Sequence, residues 1–545
     1  VTRASAHPPA NAVERLRRAL MRLPRPLVYG TTPRGALICG VLASVLGTIA
    51  SWGVGFMPSA QGSIFATAGV LRPLRVNDIG LFVCAVVLVL SAIALMWAWT
   101  QMGRYIRGAG GLKLATRAVL IWSAPWLVSF PVMSRDVFSY AAQGRLLMLG
   151  QDPYHDVVGQ MPGWLAQGSD GLWAQSSSPY GPLFLLIAEG VTAISAWRPE
   201  IYVVLFRLLA CAGVLLCLVT LPRLARSHGT DAGWAVWIVL ANPLFIYSMV
   251  ASAHNDSIMV GLMLAGFTAA LHKKRASAIL LVAAAIAIKP IMVIALPAVG
   301  LALVGTNATW RARFLAWGVT GVVVGGVLAV LGGMTGLWFG WIGAMMDQGG
   351  AAFPFAPYGL LGLGLGALVA LVAGPAAGSA VQSVVYSLGK VVAIGAAFWL
   401  ALRHPRTSPV WQTGCVLLLA VIMNPVIQPW YLFWVLPFFA AWRAWHGPWE
   451  QILLAGSAFL AFYCLVDQLS LPEWVNVTVI KLTALAIGGL AWVFLFILAP
   501  SQRAMFHRFS LKALWRGPTE SESIALRPLV AQPADARSTP RSPAS

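Results

Sequence analysis

Charge is scarce in this chain. Only 10% of its 545 residues are Asp, Glu, Lys or Arg, against about 25% in a soluble domain. That shortage excludes a water-soluble globule, because a 59% hydrophobic composition would leave large apolar surfaces in water. Acids are the scarcer sign: 17 Asp and Glu face 37 Lys and Arg, a net charge of +20. In a soluble protein that balance would point to nucleic acid. Here no basic stripe alternates with exposed aromatics on a soluble domain, so no nucleic-acid partner is expected. The bases gather in the tails and short connecting loops, where they set membrane topology. Cysteine is sparse too. Cys39, Cys84, Cys211, Cys217, Cys415 and Cys464 lie in or beside apolar runs, with no CxxC pair. They read as buried free thiols, which leaves out disulfides and a thiolate metal site. No internal repeat of the transporter kind is visible. No cleavable signal peptide is expected, the first apolar run near Gly35 reading as a retained span.

What the chain has in abundance is apolar length. Its mean hydropathy is +0.77, and its 24 Trp and 11 Tyr suit interfacial belts. Apolar runs recur from Gly35–Phe56 to Val477–Leu498, several shorter than the ~20 residues of a straight span. The expected fold is an all-α polytopic membrane protein with about 13 transmembrane helices, some broken or re-entrant. Residues 1–34 form a basic cytoplasmic tail, with seven Arg and one Glu. Residues 35–500 form the membrane domain. Residues 501–545 form a second basic tail, disordered over its last ~25 residues. Arg104, Arg107, Lys113 and Arg117 are placed in the cytoplasm, as are Lys273, Lys274 and Arg275. The loop 134–182, with four Asp and two Arg, then falls outside. Arg223 and Arg226 also look cytoplasmic, so only one of Leu183–Trp197 and Ile201–Leu221 crosses. The first is short and contains Glu189, which makes it the one that does not.

Five stretches carry hydrogen-bonding chemistry. "SRDVFSYAAQGRLLMLG" predicts a short helix capped by Ser134, with Asp136 in its first turn and Gly150 at its end. Val137, Tyr140, Ala141 and Gly144 share one face, so the helix is expected to lie on the outer membrane surface. "QDPYHD" offers Asp152, Tyr154 and His155, and "SSPYGPLF" offers Tyr180. His254, Asn255 and Asp256 interrupt some 30 otherwise apolar residues and need partners there. Lys289 sits inside an apolar run before Pro290; it costs ~2.5–3.5 kcal/mol unless it faces a cavity or an anion. Gln428, Trp430 and Tyr431 stand between prolines at the end of a span. A carboxylate suits a hydroxyl that must lose its proton. A lysine suits phosphate, and aromatic faces suit sugar rings. Together these groups describe a transferase that takes a sugar from a lipid phosphate. Such a donor already carries its charge and no nucleotide need be bound, so no metal is required; Asp136, Asp152 and Asp156 could bind one, but their spacing is not diagnostic.

"SRDVFSYAAQGRLL", "SSPYGPLFL", "ANPLFIYSMVASAHNDSIMVGLMLAG", "IKPIMVIALP", "GLWFGWIGAM" and "NPVIQPWYLFWVLP" occur in this order. Over roughly Pro131–Pro437 the chain resembles the actinobacterial α-(1→6)-mannopyranosyltransferases of lipomannan assembly (the MptA/MptB family), within the GT-C superfamily. The resemblance implies a GT-C fold with interfacial helices in the first large outer loop. It implies polyprenyl-phosphate mannose as donor, and a mannosylated phosphatidylinositol or related lipoglycan as acceptor. The active site would lie on the extracytoplasmic face of the plasma membrane, and the reaction would invert. Asp136 matches the family's general base and Arg135 a basic position. His254, Asn255 and Asp256 match a His-Asn-acid motif, and Lys289 matches a lysine. Lys289, Arg135 and His254 are the expected contacts of the donor phosphate. A flippase for lipid-phosphate sugars would share the lysine and broken helices but would not need Asp136. An assembly partner without activity gives no reason for the polar groups to converge, and a transferase of another sugar stays open.

Overall fold

A computed structural model of the chain describes residues 30–347, 356–469 and 476–498, less positions 58, 59, 61, 446 and 468. The two basic tails fall outside the described residues except for 30–34. Among the described residues there are helices and no strands. The longer helices are α1 (Pro33–Val54), α2 (Asp78–Met102), α3 (Gly111–Ser123), α4 (Asp136–Met148), α5 (Pro182–Ser195), α6 (Pro199–Ser227), α7 (Ala232–Val239), α8 (Asp256–Leu271) and α9 (Arg275–Ile288). They continue with α10 (Leu296–Val304), α11 (Trp310–Thr335), α12 (Pro357–Ala373), α13 (Pro375–Arg403), α14 (Pro409–Ile422), α15 (Leu432–Trp442), α16 (Pro448–Asp467) and α17 (Val477–Val493).

Local chemistry starts them. Thr32, Asn77, Asp231 and Thr309 accept backbone N–H groups at the starts of α1, α2, α7 and α11. Proline opens α1, α5, α6, α12, α13 and α14, where its missing N–H costs nothing. Seven described helices are long and apolar enough to cross a membrane, or eight with the bent pair Ala232–Val239 and Pro243–Ala251. The protein is therefore a multi-pass membrane protein. Six further apolar helices have 10–17 residues. The expected total of about 13 requires the bent pair and all of these shorter helices but α5 to cross as well.

The bundle has two chemically distinct ends. The C-terminus of α1 meets Pro131, whose carbonyl accepts the Phe56 N–H at 2.9 Å. Its N-terminus meets the turn after α2, where the Tyr105 hydroxyl donates to the Thr31 carbonyl. The basic loops share that second end: Gly108 N–H donates to Asp231, and Arg107 pairs with Glu450 at 2.8 Å. Arg223 and Arg226 belong there too, at the far end of α6. Of the two helices in question, α6 has 29 residues and is long and apolar enough to cross, whereas α5 has 14.

The helix α4 departs from expectation. It does not lie on a surface: Ser139 and Gln143 are buried along with Val137, Tyr140 and Ala141. The loop after it folds back as a cover. Ser178 donates to the Gln143 side chain at 2.8 Å, and Val158 and Met161 pack on Ala142 and Leu146. At Gly144 a β-carbon would strike the Ala188 carbonyl, so glycine lets α5 lie directly against α4. Gly150 ends the excursion at φ +73°, a backbone that favours glycine.

Candidate active site

Asp136 opens α4, and its own N–H donates to Ser134 Oγ at 3.1 Å. Contrary to expectation, Ser134 is not the cap: Arg135 occupies the cap position with no side-chain cap hydrogen bond, and Ser134 meets only the N–H of the first helical residue. The Asp136 side chain is 17% exposed, and its Oδ2 lies 3.9 Å from His254 Nδ1. The same nitrogen lies 3.5 Å from Asp256 Oδ2, at the outer limit of hydrogen bonding. Burial pushes the Asp136 carboxyl above the ordinary carboxylate range, and His254 and Lys289 partly oppose that rise.

Behind Asp136 stands a buried ion pair. Lys289 Nζ donates to Asp256 Oδ1 at 2.8 Å. Lys289 is presented by a break: α9 ends at Ile288, Lys289 is extended, and a 3-10 turn follows at Pro290–Ala295. Proline cannot donate into the preceding turn, so the run splits where the sequence places the charge. Three rings surround the ammonium, Trp434 at 4.9 Å, Tyr180 at 5.6 Å and Tyr431 at 5.7 Å. The Trp434 indole N–H also donates to Asp256 Oδ1. Trp430 covers His254, ring centroids 4.2 Å apart. Both polar atoms of the Asn255 amide and the Tyr140 hydroxyl are buried without a hydrogen-bond partner among the described residues.

The structure therefore gathers Asp136, His254, Asn255, Asp256, Lys289, Tyr180, Trp430 and Tyr431 into one site. Other candidates stand apart. Arg135 turns away, its Nε donating to the Gly168 carbonyl at 2.8 Å and its guanidinium lying over Phe56. Asp152, His155 and Asp156 tie up their own turn, with Asp152 accepting the Tyr154 N–H and meeting His155 at 2.7 Å. Tyr154 reaches inward only to donate its hydroxyl to the Tyr180 carbonyl. Gln428 precedes the Pro429–Tyr431 turn and accepts the Tyr431 N–H through its carbonyl.

The comparisons with known proteins bear on what such a site does. A family described as α-(1→6)-mannopyranosyltransferase, N-terminal domain, matches residues 37–305, and the MptB C-terminal domain matches residues 358–496. A probable α-(1→6)-mannopyranosyltransferase of Mycolicibacterium smegmatis is 30% identical over 457 residues, 76% of this chain and 80% of that protein. The chain belongs to the α-(1→6)-mannopyranosyltransferase family. Within that family, an enzyme of Mycobacterium tuberculosis is 29% identical over 470 residues, 75% of this chain and 78% of its own. The α-(1→6)-mannopyranosyltransferase A of Corynebacterium glutamicum is 29% identical over 401 residues, 68% of this chain and 82% of its own. No solved structure matches the chain. As a family member the protein is a glycosyltransferase, of the mannosyltransferase kind. Its site draws on both matched regions, because Trp434 lies in the second and Asp256 in the first.

Sequence reading missed Trp434, Tyr140 and Arg207. Trp434 stands three residues after Tyr431, and the two rings stack at 3.7 Å. That spacing was the available signal. Arg207 is 3% exposed on α6 and donates to the carbonyls of Leu127, Val250 and Ala251. It ties the end of the 246–251 π-turn, next to Ala253 at φ +58°, to the 3-10 turn Ala124–Val128 that precedes Asp136. Arg207→Leu would take this donor from two buried carbonyls, Val250 and Ala251, at about 1–3 kcal/mol each, and from the partly buried Leu127 carbonyl. A lowered thermal midpoint of the purified protein is expected, and an unchanged midpoint would remove Arg207 from the scaffold.

Proposed function

We propose that the protein transfers mannose from polyprenyl-phosphate mannose to a hydroxyl of an α-(1→6)-mannan lipid acceptor. The reading is carried by one observation: a partly exposed carboxylate, Asp136, stands beside a buried His254–Asp256–Lys289 chain. The basic loops occupy the opposite end, so by the positive-inside rule the site opens on the extracytoplasmic face. The sugar ring would rest against Trp430 and Tyr431. An apolar cavity of about 500 Å³ between α5, α9 and α11 suits the prenyl chain, lined by Leu183, Leu280, Ala284, Val323, Val327 and Leu331 among others. It lies within two helical turns of Tyr180 along α5 and of Lys289 along α9.

The reaction is a single displacement. Asp136 takes the proton of the acceptor 6-hydroxyl as its oxygen bonds to the anomeric carbon. The bond from that carbon to the phosphate oxygen breaks on the opposite face, and its electron pair leaves with the prenyl phosphate. Lys289 and His254 balance the charge that grows there. A β-linked donor then yields an α-mannoside. Arg135 has no part in this scheme, because Gly168 holds it elsewhere.

The direct test uses purified protein, polyprenyl-phosphate mannose and a short α-(1→6)-mannoside. A new α-(1→6) linkage is expected; donor flipping between leaflets without transfer would overturn the proposal. The cavity gives a second test. A side chain at Gly326, on the rim of the cavity, meets open space, so Gly326→Phe should fold and fill the groove. It is expected to raise KM for a long prenyl donor more than for a short one. Equal effects on both would move the chain elsewhere.

A further inference from the structure

A polar cavity lies at the opposite end of the bundle from Asp136. Its volume is about 650 Å³, and it opens between the turn before α11 and the turn joining α13 to α14. Arg313, Arg403, Arg406 and His404 line it, with Asn307 and Thr309, and among the described residues no carboxylate does. Among the described residues none of the three arginines makes an ion pair. Arg313 is 5% exposed. One of its terminal nitrogens donates to the Thr306 carbonyl at 2.8 Å, and its guanidinium lies over Trp310 at 4.8 Å. Its Nε is buried without a hydrogen-bond partner among the described residues. A buried cation with a free donor, in a cavity of like charges, is costly unless an anion completes it.

The cavity is also braced. Gln412 is buried and donates to the His404 carbonyl and Thr407 Oγ1, both at 2.9 Å. Ser408 meets His228 at 3.0 Å, which anchors the turn to the end of α6. The first turn of α11, a 26-residue helix, faces the same space and adds the positive end of its dipole. At the rim, Trp310 and Leu402 are 45% and 43% exposed. Both belong to spanning helices, so the cavity sits where lipid headgroups meet the bundle.

We infer that this cavity binds a phosphate group, with the headgroup of an anionic phospholipid of the cytoplasmic leaflet as its source. Arg313 and Arg403 or Arg406 hold the phosphate oxygens by charge-assisted hydrogen bonds, and Trp310 and Leu402 meet the acyl chains. This site is independent of the transfer chemistry and does not rest on the donor assigned above.

The full chain in phosphatidylcholine nanodiscs provides the test. Phosphatidylglycerol is titrated in one arm and inorganic phosphate in another, with thermal midpoint and lipids retained in native mass spectrometry as readouts. Phosphatidylglycerol is expected to raise the midpoint of the wild type and to be retained. Arg403→Gln/Arg406→Gln, both exposed positions, should weaken that response about tenfold or more, the loss of a charge-assisted hydrogen bond. Lys113→Gln/Arg275→Gln removes as much charge from the same end and should leave the response intact. Stabilisation by inorganic phosphate alone, lost in the arginine variant, would keep the site and reassign its ligand to a soluble phosphate. Equal responses in wild type and arginine variant, equal losses in both double variants, or no response to either probe would overturn the inference.

Discussion

Asp136→Asn is expected to lower turnover by about 10²- to 10⁴-fold, the usual worth of a general base. The substitution keeps the shape of the side chain, and the Ser134 contact survives because it involves the backbone N–H. Thermal stability and donor binding should therefore stay near wild type. The pH profile offers a second readout. The base must be ionised to act, and burial raises its pKa. The rate should fall on acidification through a midpoint above the ordinary carboxylate range, and Asp136→Asn should lose that acidic limb. Wild-type turnover in this variant would end the assignment of the base, whatever the sugar or acceptor.

Lys289→Met should damage both stability and activity. It leaves Asp256, 0% exposed, as a buried carboxylate without its ammonium. Breaking a buried pair from one side costs about 3–5 kcal/mol. The thermal midpoint should fall, and KM for the donor should rise as the phosphate loses its cation. Adding Asp256→Asn separates the two effects. The double variant removes the orphaned charge and should recover much of the stability, because neighbouring substitutions in one pair are not additive. It should not recover transfer. If it did, Lys289 would have only a structural role.

How much of this was legible beforehand depends on the cost of each residue in its setting. Lys289 and the His254–Asp256 triplet stood out because polar groups are expensive in apolar runs, and the fold indeed brings them together. Trp434 was hidden for the opposite reason. An indole among apolar residues looks like a lipid-facing ring, and its partner Asp256 lies 178 positions earlier. The surface placement of α4 failed because it rested on the one face of Val137, Tyr140, Ala141 and Gly144, while Ser139 and Gln143, elsewhere on the wheel, are buried too. Their cover is the loop through Ser178, 35 positions beyond Gln143, which no local periodicity encodes. Arg135 looked like a phosphate ligand from its position beside Asp136, yet its cap geometry sends the side chain to Gly168. Spacing reports which residues are neighbours along the chain, and capping angles decide where they point.

The indole bond from Trp434 to Asp256 has a consequence for recombination. A chimera that exchanges the C-terminal third between relatives would also exchange the lid over the lysine pocket. Crossovers that separate 430–434 from 254–289 would then mix two sets of shapes evolved for different partners. Hybrids retaining both segments from one parent should be the ones that remain active.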